Sequence, residues 1–222
     1  LMESVIDAYL RQREMAWLGF TEDKNVSLAI DQASHVAYGT FQSRYMYGLQ
    51  WSPARFDKTV TKGSFPLHPL TTALLCNLKF SAAGGMSDPR TVLGFVMQHL
   101  NDKMDQLTIV NGAINWVRPV ALVNYFGESI SPEAYRLYQN ARRNLGSDAN
   151  DEQRCTLMAL FLLEATQITL SKEAQIEFLV ESTGLIGSSV MKALEALTDS
   201  NAIRYDSIKK TYSFWPTGAD PR

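Results

Sequence analysis

Apolar residues recur at helical spacing along most of this chain. The opening stretch LMESVIDAYLRQREMAWLGF sets Val5, Ile6, Tyr9, Leu10, Ala16 and Trp17 in that rhythm and predicts a helix over 2–18. NVSLAIDQASHVAYGTFQSRYMYG predicts a second over 25–48, with Leu28, Ala29, Ala33, Val36 and Ala37 at helical spacing. Trp51 and Pro53 break the pattern, so 49–64 reads as irregular. In FPLHPLTTALLCNLKFS, His68 is a candidate cap and Pro69 suits the first helical turn, while Leu70, Ala73, Leu74 and Leu78 form the buried stripe. The small-residue turn SAAGGMSD leads into a helix from Pro89 to Met104, with Leu93, Val96, Met97, Leu100 and Met104 as its apolar face. LTIVNGAINWVRP reads as short strand or loop. PVALVNYF is a short helix stopped by Gly127. SPEAYRLYQNARRNLG is a longer one, capped by Ser131, started by Pro132 and stopped by Gly146.

The polar stretch SDANDEQ (147–153) is the best domain boundary, which predicts a helical region over 1–146 and a second domain over 147–222. Beyond it the order is distinctive. RCTLMALFLLEAT is helical and ITL is a short extended run. SKEAQIEFLVEST is a helix capped by Ser171, and GSSVMKALEALTDSN is another that turns Val190, Ala193, Leu194 and Leu197 inward. AIRYD and TYSFW are strand-like and flank SIKK. Helix, short strand, two helices and a hairpin is the order of a winged helix. The expected fold is therefore mainly α: a helical, lid-like bundle followed by a winged-helix domain with a small β-hairpin.

Composition adds limits. A chain of 222 residues with 45% hydrophobic and 20% charged residues is an ordinary globular chain, and its net charge of -2 favours no class of partner. Cys76 and Cys155 each sit in apolar stretches, which predicts buried reduced thiols and a cytoplasmic setting. No apolar run is long enough to span a membrane, and no signal peptide is visible. The chain starts already in helical rhythm, with no cap and no Met at position 1, so it is expected to be a piece of a longer protein.

The chain carries no self-contained catalytic constellation. Neither GxxxxGK[ST] nor a GxGxxG after a strand occurs. His35, His68 and His99 lie on three separate segments and form no HExxH or CxxC pattern, so no zinc site is expected. Arg90 stands out. It follows the flexible Gly84-Gly85 turn, the cap candidate Asp88 and the helix-starting Pro89. Free N–H groups at a helix start favour an anion, and a guanidinium beside them suits phosphate oxygens. Spacing of three and seven residues to Leu93 and Met97 puts Arg90 close to the packed face. An ion pair with a nearby carboxylate, Asp88 included, is the alternative.

Gly-x-x-x-Pro-Arg-x-x-Leu resembles the turn and first lid-helix turn of AAA+-type ATPases, in which a sensor arginine approaches the γ-phosphate of ATP. The blocks FPLHPLTTALLCNL, DPRTVLGFV and RPVALVNYF, in that order before a winged helix, resemble the successive blocks after the nucleotide core in large bacterial P-loop ATPases of the BREX phage-defence type. The resemblance covers residues 60–215. It implies a C-terminal lid and winged-helix portion of such an ATPase, with Arg90 as its nucleotide-sensing residue. The phosphate loop and the acidic magnesium-binding strand are missing, so the resemblance puts them upstream of Leu1. ATP and Mg2+ would then be bound mostly by residues outside this chain, which alone would be inactive and hold no cofactor. The implied partners are that N-terminal nucleotide-binding core and other subunits of a defence complex.

In a DNA-binding winged helix the third helix enters the major groove and the wing touches the backbone. Ser188, Ser189 and Lys192 on the third helix, with Arg204, Lys209 and Lys210 on or beside the wing, are the nucleic-acid candidates. Against DNA, residues 151–222 hold seven Lys or Arg and ten Asp or Glu, a net of -3, with Glu195 and Asp199 on the same helix. A packing or protein-interaction role is preferred, and DNA stays the alternative. Arg136, Arg142 and Arg143 form a further basic cluster, either solvated or touching nucleic acid or a neighbouring subunit.

Overall fold

The computed structural model describes residues 1–10, 20–78, 89–104, 106, 108–110 and 112–216; of these, the side chains of residues 9, 89–91, 102 and 104 are not described. The fold is mainly α, with a small antiparallel two-stranded hairpin near the C-terminus. The chain divides into two compact units. One is built from Leu1–Asn77 and Ser87–Arg118, the other from Leu78–Met86 and Pro119–Arg222.

In the first unit α1 spans Met2–Leu10 and α2 spans Lys24–Thr40, with the Asp23 carboxylate accepting from the Asn25 N–H. The face of α2 that packs is Val26, Ile30, Ala33, Val36 and Ala37, so the expected Leu28 and Ala29 are corrected outward; Leu28 is 67% exposed. The second expected helix also breaks near Phe41 into a π-helical turn, Ser43–Gly48. Within 49–64, expected to be irregular, residues 53–62 are helical. Pro53 is a starter here, because the Ser52 hydroxyl accepts from the Arg55 N–H and Pro53 takes the first position of α3, Pro53–Phe56. A π-helical turn, Asp57–Lys62, follows. Tyr38, Tyr45, Trp51 and Phe56 make an aromatic core there, and the Tyr38 hydroxyl donates to the Trp51 carbonyl at 2.7 Å.

Helix α4 spans Pro69–Asn77 and α5 spans Pro89–Met104. Among the described residues of α5 the buried ones are Val92, Phe95 and Val96; of the expected face Val96 is buried, Leu93 and Leu100 are half-buried and Met97 is 47% exposed, so the face turns towards Val92 and Phe95. Between α5 and Arg118 the chain forms a hairpin of β1 (Ile109–Val110) and β2 (Ala113–Ile114), with Gly112 at φ +76° in its turn.

In the second unit α6 (Val120–Phe126) ends at Gly127, whose φ of 51° and ψ of -123° suit glycine alone. Helix α7 spans Pro132–Leu145, capped by Ser131 and stopped by Gly146 as expected. Helix α8 spans Asp151–Thr166 and starts in a reciprocal capping box between Asn150 and Gln153. The polar stretch at 147–153 thus joins two helices that pack on each other. Helices α9 (Lys172–Thr183) and α10 (Gly187–Asp199) also pack on α8. The inward residues of α10 are Val190, Ala193, Leu194 and Leu197, the expected set. The hairpin pairs β3 (Arg204–Asp206) with β4 (Thr211–Ser213). Residues 168–170 (ITL) form no strand. The Gln175 side chain of α9 instead meets β4: its amide donates to the Tyr212 carbonyl and accepts from the Tyr212 N–H, both at 2.8 Å.

Gln175→Leu leaves both Tyr212 backbone groups without their partner. We expect a stability loss of about 1–3 kcal/mol in urea unfolding and faster exchange of the Tyr212 amide proton, with the α8 amides less affected.

Candidate functional site

The helix carrying Arg90 begins at Pro89, as the sequence indicates, and Arg90 is its second residue. The Arg90 side chain, Asp88 and the Gly84-Gly85 turn lie outside the described residues. Of the two residues whose spacing set the expectation for Arg90, Met97 is exposed, and the described buried residues of this helix are Val92, Phe95 and Val96.

The motif FPLHPLT has a clear structural role. His68 is fully buried and caps α4, its Nδ1 accepting from the Leu70 N–H at 3.2 Å. Its ring stands edge-on to Trp116 at 5.4 Å. Val117, the residue just before RPVALVNYF, is clamped to this motif. Its N–H donates to the Pro66 carbonyl at 2.9 Å, and its carbonyl accepts from the His68 N–H at 3.1 Å and the Thr71 hydroxyl at 2.8 Å. Leu67 and Val117 form a parallel bridge.

The C-terminal candidates separate into two groups. Ser188 and Lys192 are exposed on the first turns of α10, and Ser189 is half-buried. Lys209 and Lys210 are exposed in the β3–β4 turn, where Asp206 Oδ1 accepts from the Ile208 N–H at 2.9 Å and the Lys209 N–H at 3.0 Å. Those bonds hold the Asp206 carboxyl below the usual carboxylate range. Ile208, between these groups, is 92% exposed, and Tyr205 and Ile186 are exposed as well. Arg204 differs from the lysines. It is half-buried, and its Nε donates to the Ser213 hydroxyl at 3.2 Å.

Arg204 and Lys209 line a cavity of 340 Å³ with Glu164, Asp206 and Trp215. A neighbouring cavity of 280 Å³ shares Glu164, Thr169, Lys209, Ser213 and Phe214 with it. Together they form a cleft between α8, residues 168–170 and the hairpin, beside the indole N–H of Trp215, which is buried without an acceptor. Partial burial and then Glu133 push the Glu164 carboxyl up, and Arg204 opposes them. The cleft mixes two cations with two carboxylates and brings together no nucleophile with a base.

The remaining titratable cluster lies in the first unit. The buried Glu3 Oε1 accepts from Arg44 Nε at 2.9 Å, Arg44 Nη2 at 2.8 Å and the Tyr45 hydroxyl at 3.1 Å. Burial, and then the Glu3 carboxylate, push the Cys76 thiol up, which makes it a poor nucleophile. Cys76 and Cys155 are unpaired and half-buried rather than fully buried. Among the described residues no group of His, Cys, Asp and Glu is arranged to hold a metal, and no helix is long and apolar enough to cross a membrane. Sequence reasoning missed Glu3 and Gln175. A carboxylate in the first helical turn and a glutamine on an amphipathic helix carry no signal that they are buried.

Glu164 gives a pH test. The folded state holds its proton more tightly than the unfolded chain, so its stabilising contribution is present below the ordinary value of 4.5 and is lost as pH rises through the higher folded value. In an NMR titration of the side-chain carboxyl, Arg204→Gln is expected to raise this pKa further and Glu133→Gln to lower it.

Comparisons with protein-family models, with curated proteins and with solved structures give no match for this chain.

Proposed function

We propose that this chain is the lid and winged-helix portion of a bacterial AAA+-like P-loop ATPase of the phage-defence type. In this reading it couples the nucleotide state of a core outside these 222 residues to a protein partner docked on the C-terminal hairpin. The observation that carries the reading is the clamp between FPLHPLT and Val117. FPLHPLT is thereby tied by hydrogen bonds to the residue that immediately precedes RPVALVNYF, 46 residues on from Thr71. A chain fixed at that point is what a lid would need in order to pass on a displacement. ATP and Mg2+ would be held mostly by the core, with Arg90 contributing a cation from the second position of α5.

A protein partner suits the hairpin better than DNA does. The apolar Ile208 in its turn is 92% exposed, and Tyr205 adds an exposed ring. Arg204 is engaged by Ser213, and the C-terminal residues 151–222 are net acidic. A second reading, a non-enzymatic winged-helix DNA-binding or adaptor module, draws on the exposed Lys209 and Lys210 with Ser188 and Lys192.

In the parent ATPase, Arg90→Ala is expected to lower ATP turnover at least ~10-fold, about 1.4 kcal/mol of lost transition-state stabilisation. Unchanged turnover together with unchanged nucleotide affinity would remove the sensor role. For the hairpin, a low-salt fluorescence-polarisation titration with duplex DNA is expected to show no saturable binding by this chain. Binding that disappears in Lys209→Glu/Lys210→Glu would establish the second reading instead.

A further inference from the structure

A cavity of 310 Å³ lies where α6, α7 and α8 meet, distinct from the cleft at the hairpin. Arg142 from the last turn of α7 and Arg154 from the first turns of α8 both line it. The other polar side chains on its wall are Asn124, Tyr138 and Ser147, and none of the lining residues is a carboxylate. Leu157 and Met158 supply an apolar floor.

The two arginines are placed by the local structure of the linker between their helices. Gly146, at φ +79°, ends α7 four residues after Arg142. The Asn150–Gln153 capping box fixes where α8 begins, immediately before Arg154. Arg154 Nη2 donates to the Ser147 carbonyl at 3.1 Å, which holds the guanidinium against the linker. Its other contact is a long one, Nη1 to Asp151 Oδ1 at 4.0 Å, and that carboxylate side chain is 98% exposed, so water screens the pair. Arg142 has no carboxylate partner among the described residues. A guanidinium carries five donors in a planar fork, so most of the donors on this pair remain unused. The phenol of Tyr138 is shifted upward by burial and drawn back by Arg142, which places the arginine's charge next to that ring.

We propose that this cavity is an oxyanion site that takes a phosphate group, gripped between Arg142 and Arg154. Two exposed forks on a wall that holds no carboxylate, with only the distant, water-screened Asp151 beside Arg154, suit the tetrahedral oxygens of phosphate, which accept paired N–H donors. The volume lies at the lower end for small-molecule sites, and the apolar floor beside the cations offers room for an organic body attached to the phosphate. The site does not depend on the ATPase reading, because every lining residue belongs to the second unit and none is Arg90.

The test is calorimetric titration of the 222-residue protein with inorganic phosphate and, separately, with adenosine 5′-monophosphate. Saturable binding with one site per chain is expected. Arg142→Gln and Arg154→Gln should each weaken it at least ~10-fold, the loss of one charge-assisted contact, while Arg136→Gln and Arg143→Gln leave it within about twofold. Arg142 makes no side-chain hydrogen bond among the described residues, so its variant tests the site even if Arg154→Gln loosens the linker. Tighter binding of the nucleotide than of phosphate identifies a phosphate ester as the ligand, and equal binding identifies free phosphate. Absence of saturable binding by either probe, or equal weakening by Arg143→Gln, overturns the proposal.

Discussion

The carbonyl of Val117 is the constraint on which the first unit turns. It accepts from the His68 N–H and the Thr71 hydroxyl, while the N–H of the same residue donates to Pro66. Three hydrogen bonds thus close a loop that starts before α4, runs through α5 and the β1–β2 hairpin, and returns. A buried backbone group left open would cost about as much as the bond itself, so this return path is defined by polar satisfaction as well as by apolar area. The same residues organise the packing around them. His68 caps α4 while its ring packs on Trp116, and Trp116 belongs to the cluster of Val26, Ile30 and Ile114 that roots α2 and the small hairpin. One side chain therefore serves as helix start and as core wall, which accounts for a histidine with no accessible surface.

The second unit uses a related device where the hydrophobic pattern leaves a gap. The run ITL, expected to be a short extended run, forms no strand. Gln175 offers β4 a side-chain amide with the donor–acceptor geometry of a peptide. Between residues 168–170 and the hairpin, cavities lined by Thr169, Ser213 and Phe214 remain. The Gln175 pairing also shields one edge of a hairpin too short to be stable alone. Its turn is set by Asp206, and Ile208 and the two lysines are exposed at the tip.

Much of this fold is legible in the sequence because its helix ends are written in side-chain chemistry. Ser131, Ser171, Gly127 and Gly146 act where the sequence puts them, and the inward set of α10 is the set its periodicity names. The errors share a cause. Proline stops helices, which makes Pro53 look like a breaker, yet behind a capping serine it starts one. In α2 and α5, counting apolar residues selects a stripe that is right only in part: Ala33, Val36, Ala37 and Val96 are buried, but both helices carry more apolar residues than their neighbours bury. Leu28 and Met97 are the surplus. Which of two overlapping stripes packs depends on what stands opposite, and that is not a local property. The candidate site is legible to the same extent. The position of Arg90 in its helix follows from Asp-Pro-Arg, and the exposure of Lys209 and Lys210 follows from a hairpin turn. The meeting of Arg142 with Arg154, twelve residues apart on two helices, needs the α7–α8 packing.

The buried ion pair at the start of the chain fits the same view of polar groups as determinants of geometry. Glu3 accepts three donors on Oε1, while its buried Oε2 has no hydrogen-bond partner among the described residues. Such an arrangement is weak as a stabiliser. Desolvating a carboxylate costs several kcal/mol, and half of this one's acceptor capacity goes unused. It is effective as a selector. An α1 shifted by one residue would bury Glu3 away from Arg44 and Tyr45, leaving a charge with no partner at all. An apolar residue at position 3 could slide along the aromatic core of Tyr45, Trp51 and Phe56 with little change in contact area. Two N–H donors of one guanidinium, both on Oε1, remove that freedom. The register of α1 is thus held by the alternatives that Glu3 forbids more than by the energy it adds.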